Sequence, residues 1–283
     1  MYESYWKLKE KPFQAHRQTD QMFRSYTQQV ATLRLMYSIE SCMGAGMLIG
    51  PSGSGKSTLI RSVRRESSEL RPFVHILYPL LNPSEMLRQI VYEMTCSGMN
   101  EAPATIRMPG IGGMDGDDAM LRQIEQVARD SSREGRQVVI CFDDAHQLTD
   151  DVLLHVVHPL LNLSDSEASM RVSIILAGQP VLAGSIRRHA QISDRVAVVA
   201  SIQGFSRAET AEYIETAVRA AGANSEIFSA AAIQRLFEVT AGNPRRLNRL
   251  CDMALLVGFA ERRSVITPAI IDSVSRELMP AAA

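Results

Sequence analysis

The chain has 283 residues, of which 46% are hydrophobic and 22% charged, and a formal net charge of −1 from 30 basic and 31 acidic side chains. This composition is that of a globular protein long enough to bury a sizeable core. The balanced charge excludes a global attraction to nucleic acid or to an anionic membrane.

The cysteines and the apolar runs indicate a reducing, non-membrane environment. Cys42, Cys96, Cys141 and Cys251 show no Cys-x-x-Cys spacing, so we interpret them as buried free thiols rather than a disulfide framework or zinc site. No apolar stretch approaches the about 20 residues needed to span a bilayer. The N-terminus also lacks the apolar core of a secretory signal. We therefore expect a cytoplasmic protein with no direct membrane insertion.

Short apolar runs alternate with longer amphipathic stretches through the first part of the chain, a pattern typical of βαβ units and a parallel sheet. The predicted strands are Gly46–Gly50, Phe73–Tyr78, Gln137–Phe142, Val172–Ala177 and Val196–Ser201. The predicted helices between them are Tyr26–Ser41, Lys56–Ser67, Ser84–Thr95, Ala119–Arg133, Asp151–Leu161 and Pro180–His189. The sequence therefore predicts a five-stranded α/β domain.

From Ser206 onward the strand pattern stops and only helices are predicted. They are Arg207–Ala221, Ser229–Thr240, Pro244–Ala260 and Pro268–Leu278, and several begin with N-terminal start signals. We place a domain boundary near Gln203. The predicted division is a nucleotide-binding domain over residues 1–202, with an N-terminal linker over 1–25, and a small helical domain over 203–283.

One segment favours neither helix nor strand. Gly98–Gly116 holds five glycines and two prolines among polar residues and methionines. A loop of this length in a compact domain is usually functional or disordered. We interpret it as a mobile surface loop, with a partner-binding role as the alternative.

The strongest motif is a phosphate-binding loop after the first predicted strand. Its residues are Gly50, Pro51, Ser52, Gly53, Ser54, Gly55, Lys56, Ser57 and Thr58, which match G-x-x-x-x-G-K-[ST] before a predicted helix. The glycines let backbone N–H groups surround a phosphate, and the helix adds its positive dipole end. We expect Lys56 to reach the β- and γ-phosphates of ATP, Ser57 to bind Mg²⁺, and Thr58 to contact the α-phosphate side.

An acidic pair follows the third predicted strand. Val138–Phe142 is apolar and ends at Asp143 and Asp144, as expected of a central strand whose carboxyl end meets a ligand. Asp143 is predicted to hold Mg²⁺, directly or through water, and Asp144 to orient the attacking water. The alternative is a helix N-terminus that favours acidic residues. The Asp-Asp-Ala-His string is also found in helicases, but one P-loop domain with a small helical domain lacks a helicase's second motor domain.

Three further polar residues are candidates for sensing or completing the site. Gln179, after the fourth strand, is predicted to contact the γ-phosphate, although a plain strand–helix turn explains it equally well. Arg245, at the start of a helix opened by Pro244, is predicted to reach over the triphosphate. The alternative for Arg245 is a solvated helix face.

Arg195 precedes the last predicted strand, on a face expected to meet a neighbouring subunit. There it would act as an arginine finger in that subunit's site, which would make hydrolysis depend on oligomerisation. Arg187 and Arg188 are rivals for this role.

Together these residues resemble the AAA+ ATPases of the general secretion pathway protein A type, related to the ATPases that select transposition targets. The N-terminal Met1–Phe13, the P-loop, Asp143–His146, Leu176–Pro180 and Gly242–Asn248 follow in that family's order, so the resemblance covers nearly the whole chain. It implies a P-loop NTPase (AAA+) fold with a central parallel five-stranded sheet followed by a helical lid. It also implies ATP and Mg²⁺ as cofactors and an ATP-dependent homo-oligomer, a ring or a filament.

Three features depart from the family pattern. The family usually has Asp-Glu where this chain has Asp143-Asp144, and the shorter Asp144 favours slow hydrolysis. Secretion-type members often continue into a membrane-spanning segment, which these 283 residues do not contain. The Gly98–Gly116 loop is longer than the family's usual connection. The resemblance therefore implies ATP binding more directly than a role in secretion.

Three functions fit the sequence, and we favour the first. It is an ATP-hydrolysing factor that assembles or remodels an unidentified protein partner. The second is an ATP-dependent oligomer on double-stranded DNA that recruits a recombinase. In related ATPases the loop after the second strand faces a central channel, and this predicted channel loop, Tyr78–Pro83, has no basic residue to bind DNA phosphates. Arg61, Arg64 and Arg65 could line the path of the DNA instead, and the alternative for them is a solvated helix face. The third is a switch that binds ATP but hydrolyses it slowly.

Overall fold

The chain forms two compact units. The computed structural model describes residues 1–13, 23–66, 72–77, 79–96, 116–166, 170–223 and 225–278. The helical unit comprises Met1–Thr27, Gly53–Gly55 and Gln203–Ala283, and the α/β unit comprises Gln28–Ser52 and Lys56–Ile202. Residues 98–115 of the predicted glycine-rich loop and Tyr78 of the predicted channel loop lie outside the described residues.

A parallel sheet organises the α/β unit. Its strands are β1 (Ala45–Ile49), β2 (Phe73–Ile76), β3 (Val138–Phe142), β4 (Val172–Gly178) and β5 (Val196–Ser201). They lie in the order β2-β3-β4-β1-β5, and every pairing is parallel. The central β3 and β4 are buried throughout because helices cover both faces, whereas the edge strand β5 alternates exposed and covered residues. The predicted five-stranded α/β fold is confirmed.

Helices connect the strands. They are α1 (Tyr26–Glu40), α2 (Lys56–Glu66), α3 (Pro83–Cys96), α4 (Asp117–Arg133), α5 (Asp150–Val152), α6 (His158–Ser166), α7 (Val181–Arg187) and α8 (Ala190–Ser193). A π-helical segment, Leu153–Val157, joins α5 to α6. The helix predicted over Pro180–His189 is α7, which ends at Arg187. The non-helical backbone of His189 (φ −113°, ψ 85°) separates it from α8.

The sheet separates two apolar cores. On one face, α1 and α2 pack against the sheet, with Leu35, Ile39, Ile60 and Val63 fully buried or nearly so. The larger core on the other face contains side chains from α3, α4, α6 and α7. Helices on both faces therefore hold the carboxyl ends of β1, β3 and β4 in fixed register.

Four helices form most of the helical unit. They are α9 (Arg207–Ala220), α10 (Ala230–Thr240), α11 (Pro244–Ala260) and α12 (Pro268–Leu278). Ser206 and Glu209 form a reciprocal capping box at α9, and the side chains of Ser229 and Asn243 cap α10 and α11. None of the helices described in either unit is long and apolar enough to cross a membrane.

The N-terminal segment is part of the helical unit. Tyr2, Trp6, Leu8 and Phe13 are buried in its core, and Trp6 Nε1 donates a hydrogen bond to Leu255 O at 3.0 Å. The sequence placed residues 1–25 as a linker of the nucleotide-binding domain. The structure groups Met1–Thr27 with the helices instead, because these aromatic side chains find their apolar partners there.

Candidate nucleotide-binding site

The predicted phosphate-binding loop joins β1 to α2. β1 ends at Ile49 and α2 begins at Lys56, so Ser57 and Thr58 lie in the first helical turn. Gly53 (φ +79°) and Gly55 (φ +100°) have left-handed backbones that favour glycine. They curve the loop ahead of the helix N-terminus, an arrangement suited to binding a phosphate through backbone N–H groups.

Lys56 supplies positive charge at this loop. The residue is only 6% exposed. Its Nζ donates hydrogen bonds to Gly50 O at 2.9 Å and to Pro51 O at 3.1 Å. The two carbonyl oxygens hold the Lys56 Nζ at the loop, where an anionic ligand would lie close to it.

Ser57 and Asp143, the two predicted magnesium ligands, lie next to each other. Asp143 follows β3, is 4% exposed, and its side chain is hydrogen-bonded by Ser57. Burial raises the pKa of Asp143, but contacts with His75 and Ser57 and the N–H of Asp144 outweigh burial and lower it overall. The carboxylate therefore stays ionised at neutral pH and suits a divalent cation.

Asp144 has a different environment from its neighbour. Its side chain is 53% exposed, and its backbone lies in the left-handed region (φ 48°, ψ 33°). Its N–H donates to Asp143 Oδ1 at 3.0 Å. Such a backbone is uncommon outside glycine and is often found at functional sites.

The sheet register brings the predicted polar residues to one edge. Phe142 pairs with Leu176, so the acidic pair after β3 and Gln179 after β4 follow neighbouring strand ends. Gly50 N donates to Gly178 O at 3.1 Å, which ties the start of the P-loop to the end of β4. The carboxyl edge of the sheet thus collects the P-loop, both aspartates and Gln179.

Two histidines in this region were not singled out from the sequence. His75 on β2 places Nε2 3.4 Å from Asp143 Oδ2, and its side chain is 9% exposed. His146 Nε2 lies 2.9 Å from Gln179 Nε2. A histidine within the apolar run of β2 was the available signal for His75. The signal for His146 was its place in the acidic motif.

Arg195 lies at the other end of the strands, where β1 and β5 begin. It directly precedes β5, and its carbonyl accepts a hydrogen bond from Ala45 N, at the start of β1. The five residues of β1 span about 16 Å at 3.3 Å per residue, so Arg195 is that far from the P-loop edge. Its Nη1 donates to Asn162 Oδ1, while Arg187 and Arg188 are exposed at the end of α7. These positions do not decide which arginine acts as the predicted finger.

Arg245 is exposed in the first turn of α11, in the helical unit. Its N–H donates to the carbonyl of Gly53, which belongs to the same unit, at 3.3 Å. A Cβ at Gly53 would lie 2.7 Å from Asn243 Oδ1 and 2.9 Å from Arg245 Cβ. The contact involves the Arg245 backbone, so the predicted role of its guanidinium stays a prediction.

The donor set fits a nucleotide with Mg²⁺. The predicted phosphate loop consists of Gly50, Pro51, Ser52, Gly53, Ser54, Gly55, Lys56, Ser57 and Thr58. A hydroxyl and an ionised carboxylate beside it match the oxygen ligands that Mg²⁺ takes together with nucleotide phosphates.

Comparisons with known proteins agree with this arrangement. The AAA domain family matches residues 40–185. General secretion pathway protein A of Aeromonas hydrophila is 26% identical over 266 residues, which cover 92% of this chain and 45% of that protein. The chain thus spans less than half the length of this relative.

Solved structures share the fold at low sequence identity. Cdc6p of Pyrobaculum aerophilum matches with a TM-score of 0.70 at 14% identity, over 96% of this chain and 72% of that one. The ORC2 protein of Aeropyrum pernix matches with a TM-score of 0.66 at 14% identity, over 97% and 72%. The RuvB Holliday junction branch migration motor of Thermotoga maritima matches with a TM-score of 0.56 at 16% identity, over 89% and 69%.

These similarities and the P-loop geometry agree with the motif order read from the sequence. The predicted resemblance to the general secretion pathway protein A type is confirmed. Since the family match covers more than half of its residues, the chain belongs to the AAA domain family, with a P-loop NTPase fold.

Proposed function

We propose that the chain binds ATP·Mg²⁺ through Gly50–Thr58, hydrolyses it, and uses the cycle to assemble or remodel a protein partner. The observation that carries the proposal is the pairing of Ser57 with the ionised Asp143 beside the buried Lys56. A hydroxyl, a carboxylate and an ammonium group at a helix N-terminus are the groups that phosphoryl transfer requires.

Each residue would act by position and charge. Lys56 would bind the β- and γ-phosphates, and Ser57 with Asp143 would hold Mg²⁺, which supplies charge neutralisation when bound. Asp144 would orient the attacking water, and Gln179 would contact the γ-phosphate. Arg245, in the predicted helical lid over residues 203–283, would report the nucleotide state.

We further propose that the working form is a homo-oligomer. Arg195 lies about 16 Å from its own P-loop edge, so as a finger it would serve only a neighbouring copy. Leu33 and Tyr37, 70% and 59% exposed, share one face of α1 near the β5 edge, where Arg34 Nη1 donates to Val199 O at 3.4 Å.

Further exposed apolar side chains follow the other edge strand. Leu80 and Tyr92, 76% and 50% exposed, lie in the loop and helix after β2, the edge strand opposite β5. A contact between this side of one copy and the β5 side of the next would be heterologous, and such contacts close into rings or extend as filaments.

The DNA alternative rests on two observations. Arg61, Arg64 and Arg65 are exposed together on α2. RuvB, which shares the fold, is a Holliday junction branch migration motor. The protein-assembly function is favoured because Arg61 and Arg64 already have local contacts, with Ser57 O and the Phe73 ring respectively. A slow ATP switch is the remaining alternative. We also propose that the protein is located in the cytoplasm.

The test is the mass of the protein in solution with ATP·Mg²⁺, with ADP and without nucleotide, measured by light scattering. We expect larger assemblies with ATP·Mg²⁺ than with ADP or without nucleotide. Under every condition, Lys56→Ala should keep the mass that the protein has without nucleotide. An ATP-independent mass would contradict the proposal. Addition of long duplex DNA separates the alternatives, since assembly only on DNA would favour the DNA-bound oligomer.

A further inference from the structure

His146 lies between two residues to which the proposed function gives roles. It is the middle residue of a one-turn 3₁₀ segment, Ala145–Gln147, that directly follows Asp144. Its side chain is 10% exposed, with Nδ1 3.9 Å from Asp144 Oδ1. Its Nε2 is 2.9 Å from Gln179 Nε2. One imidazole ring thus spans the distance between the acidic pair and the end of β4.

The hydrogen-bond chemistry sets the position of the proton on His146. An amide nitrogen only donates, so Gln179 Nε2 donates to His146 Nε2, and a neutral ring then carries its proton on Nδ1. Within the described part of the chain, the buried Nδ1 has no hydrogen-bond partner. An unmet buried donor is costly, and the Asp144 carboxylate is an acceptor just beyond hydrogen-bond length.

The backbone around His146 leaves little freedom on one side. A Cβ at Gly178 would lie 3.1 Å from His146 N and 2.9 Å from Leu182 Cδ2, so glycine allows β4 to approach this closely. The end of β4 and the 3₁₀ segment are therefore in close contact at Gly178. The exposed carboxylate of Asp144, in contrast, is free of the core and can turn toward the ring.

We propose that His146 is a positioning residue that couples Gln179 to Asp144. It accepts a hydrogen bond from the Gln179 amide, and its Nδ1–H donates to Asp144 when that carboxylate turns to hold the attacking water. A hydrogen bond from the buried His146 ring would fix the orientation of the Asp144 carboxylate. The inference rests on the proposed function, because Asp144 and Gln179 take their roles from ATP hydrolysis.

The kinetic test compares His146→Ala with His146→Gln, whose amide can accept at one end and donate at the other. We expect His146→Ala to lower kcat about tenfold or more, as loss of an orienting partner commonly does, with the Kd for ATP little changed. His146→Gln should recover part of kcat. His155→Ala, at an exposed histidine, is the matched control and should behave as the unsubstituted protein.

A double substitution separates positioning from a general packing defect. If His146 acts through Asp144, His146→Ala with Asp144→Ala should lose no more activity than Asp144→Ala alone. Independent, additive losses would overturn the proposal. An unchanged kcat in His146→Ala would overturn it too, while leaving the ATPase function intact.

Imidazole ¹⁵N NMR gives a readout that does not depend on turnover. We expect the Nδ1-protonated form of His146, with an Nδ1 shift that moves on addition of a non-hydrolysable ATP analogue with Mg²⁺ and stays fixed in Gln179→Ala. The Nε2-protonated form would overturn the proposal. If the protein hydrolysed no ATP but showed the coupled shift, the hydrolytic function would fail and the positioning contact would stand.

Discussion

At the scale of single residues, Gly53 lies at a point of the P-loop that has no room for a side chain. Its φ of +79° costs a residue with a side chain about 1–2 kcal/mol, and a Cβ would meet Asn243 Oδ1 at 2.7 Å. We predict that Gly53→Ala weakens ATP binding about tenfold or more, as measured by titration with a fluorescent nucleotide.

The matched control for Gly53→Ala is Gly184→Ala on α7. A Cβ at Gly184 would meet nothing within 4 Å, and alanine is the better helix former. This variant should bind ATP normally and be slightly more stable to heat. Equal losses of affinity in both variants would contradict the strained-loop explanation.

The residues of the candidate site could be predicted where chemistry and spacing coincide. The P-loop and Asp143 have a fixed order along the chain, so the sequence predicts them, and in the structure Ser57 contacts Asp143. The contacts of His75 and His146 depend on which strands are neighbours and on a single turn. No spacing rule along the chain encodes those contacts.

At the scale of elements, α1 carries two apolar faces. Leu35 and Ile39 are buried against the sheet, while Leu33 and Tyr37 face outward. We predict that Leu33→Glu lowers the fraction of protein assembled with ATP·Mg²⁺ without changing ATP affinity, because a charge would then replace a buried contact between copies. Sedimentation velocity measures the assembled fraction.

Gln123→Glu on α4 is the control for that variant, since it adds the same charge at an exposed helical position of the same unit. It should assemble normally. Normal assembly of Leu33→Glu would remove α1 from the proposed contact between copies.

Strand positions were the more predictable elements. β3 and β4 are continuous apolar runs between turn residues, and a buried parallel strand has that pattern. The break between α7 and α8 and the π-helical segment before α6 depend on local backbone geometry that hydrophobic periodicity does not encode. The N-terminal aromatic residues could be assigned to the helical unit only once their packing partners were known.

At the scale of the whole molecule, the family and fold are those of an AAA domain protein, and the proposed mechanism depends on a charged, buried site for phosphate. Lys56 and Asp143 are both almost fully buried in the α/β unit, with opposite charges near one loop. In the proposed function, the phosphates of the nucleotide would pair with Lys56 and Mg²⁺ would pair with Asp143.

The most direct test of this account is the steady-state rate of ATP hydrolysis by the purified chain, with Mg²⁺ and with Mg²⁺ removed by a chelator, beside Lys56→Ala and Asp143→Asn. We predict Mg²⁺-dependent phosphate release that both substitutions reduce to background. If Asp144→Glu hydrolysed ATP much faster than the unsubstituted chain, the unsubstituted chain would be a slow ATP switch. Release that persists without Mg²⁺ or in Lys56→Ala would contradict the account.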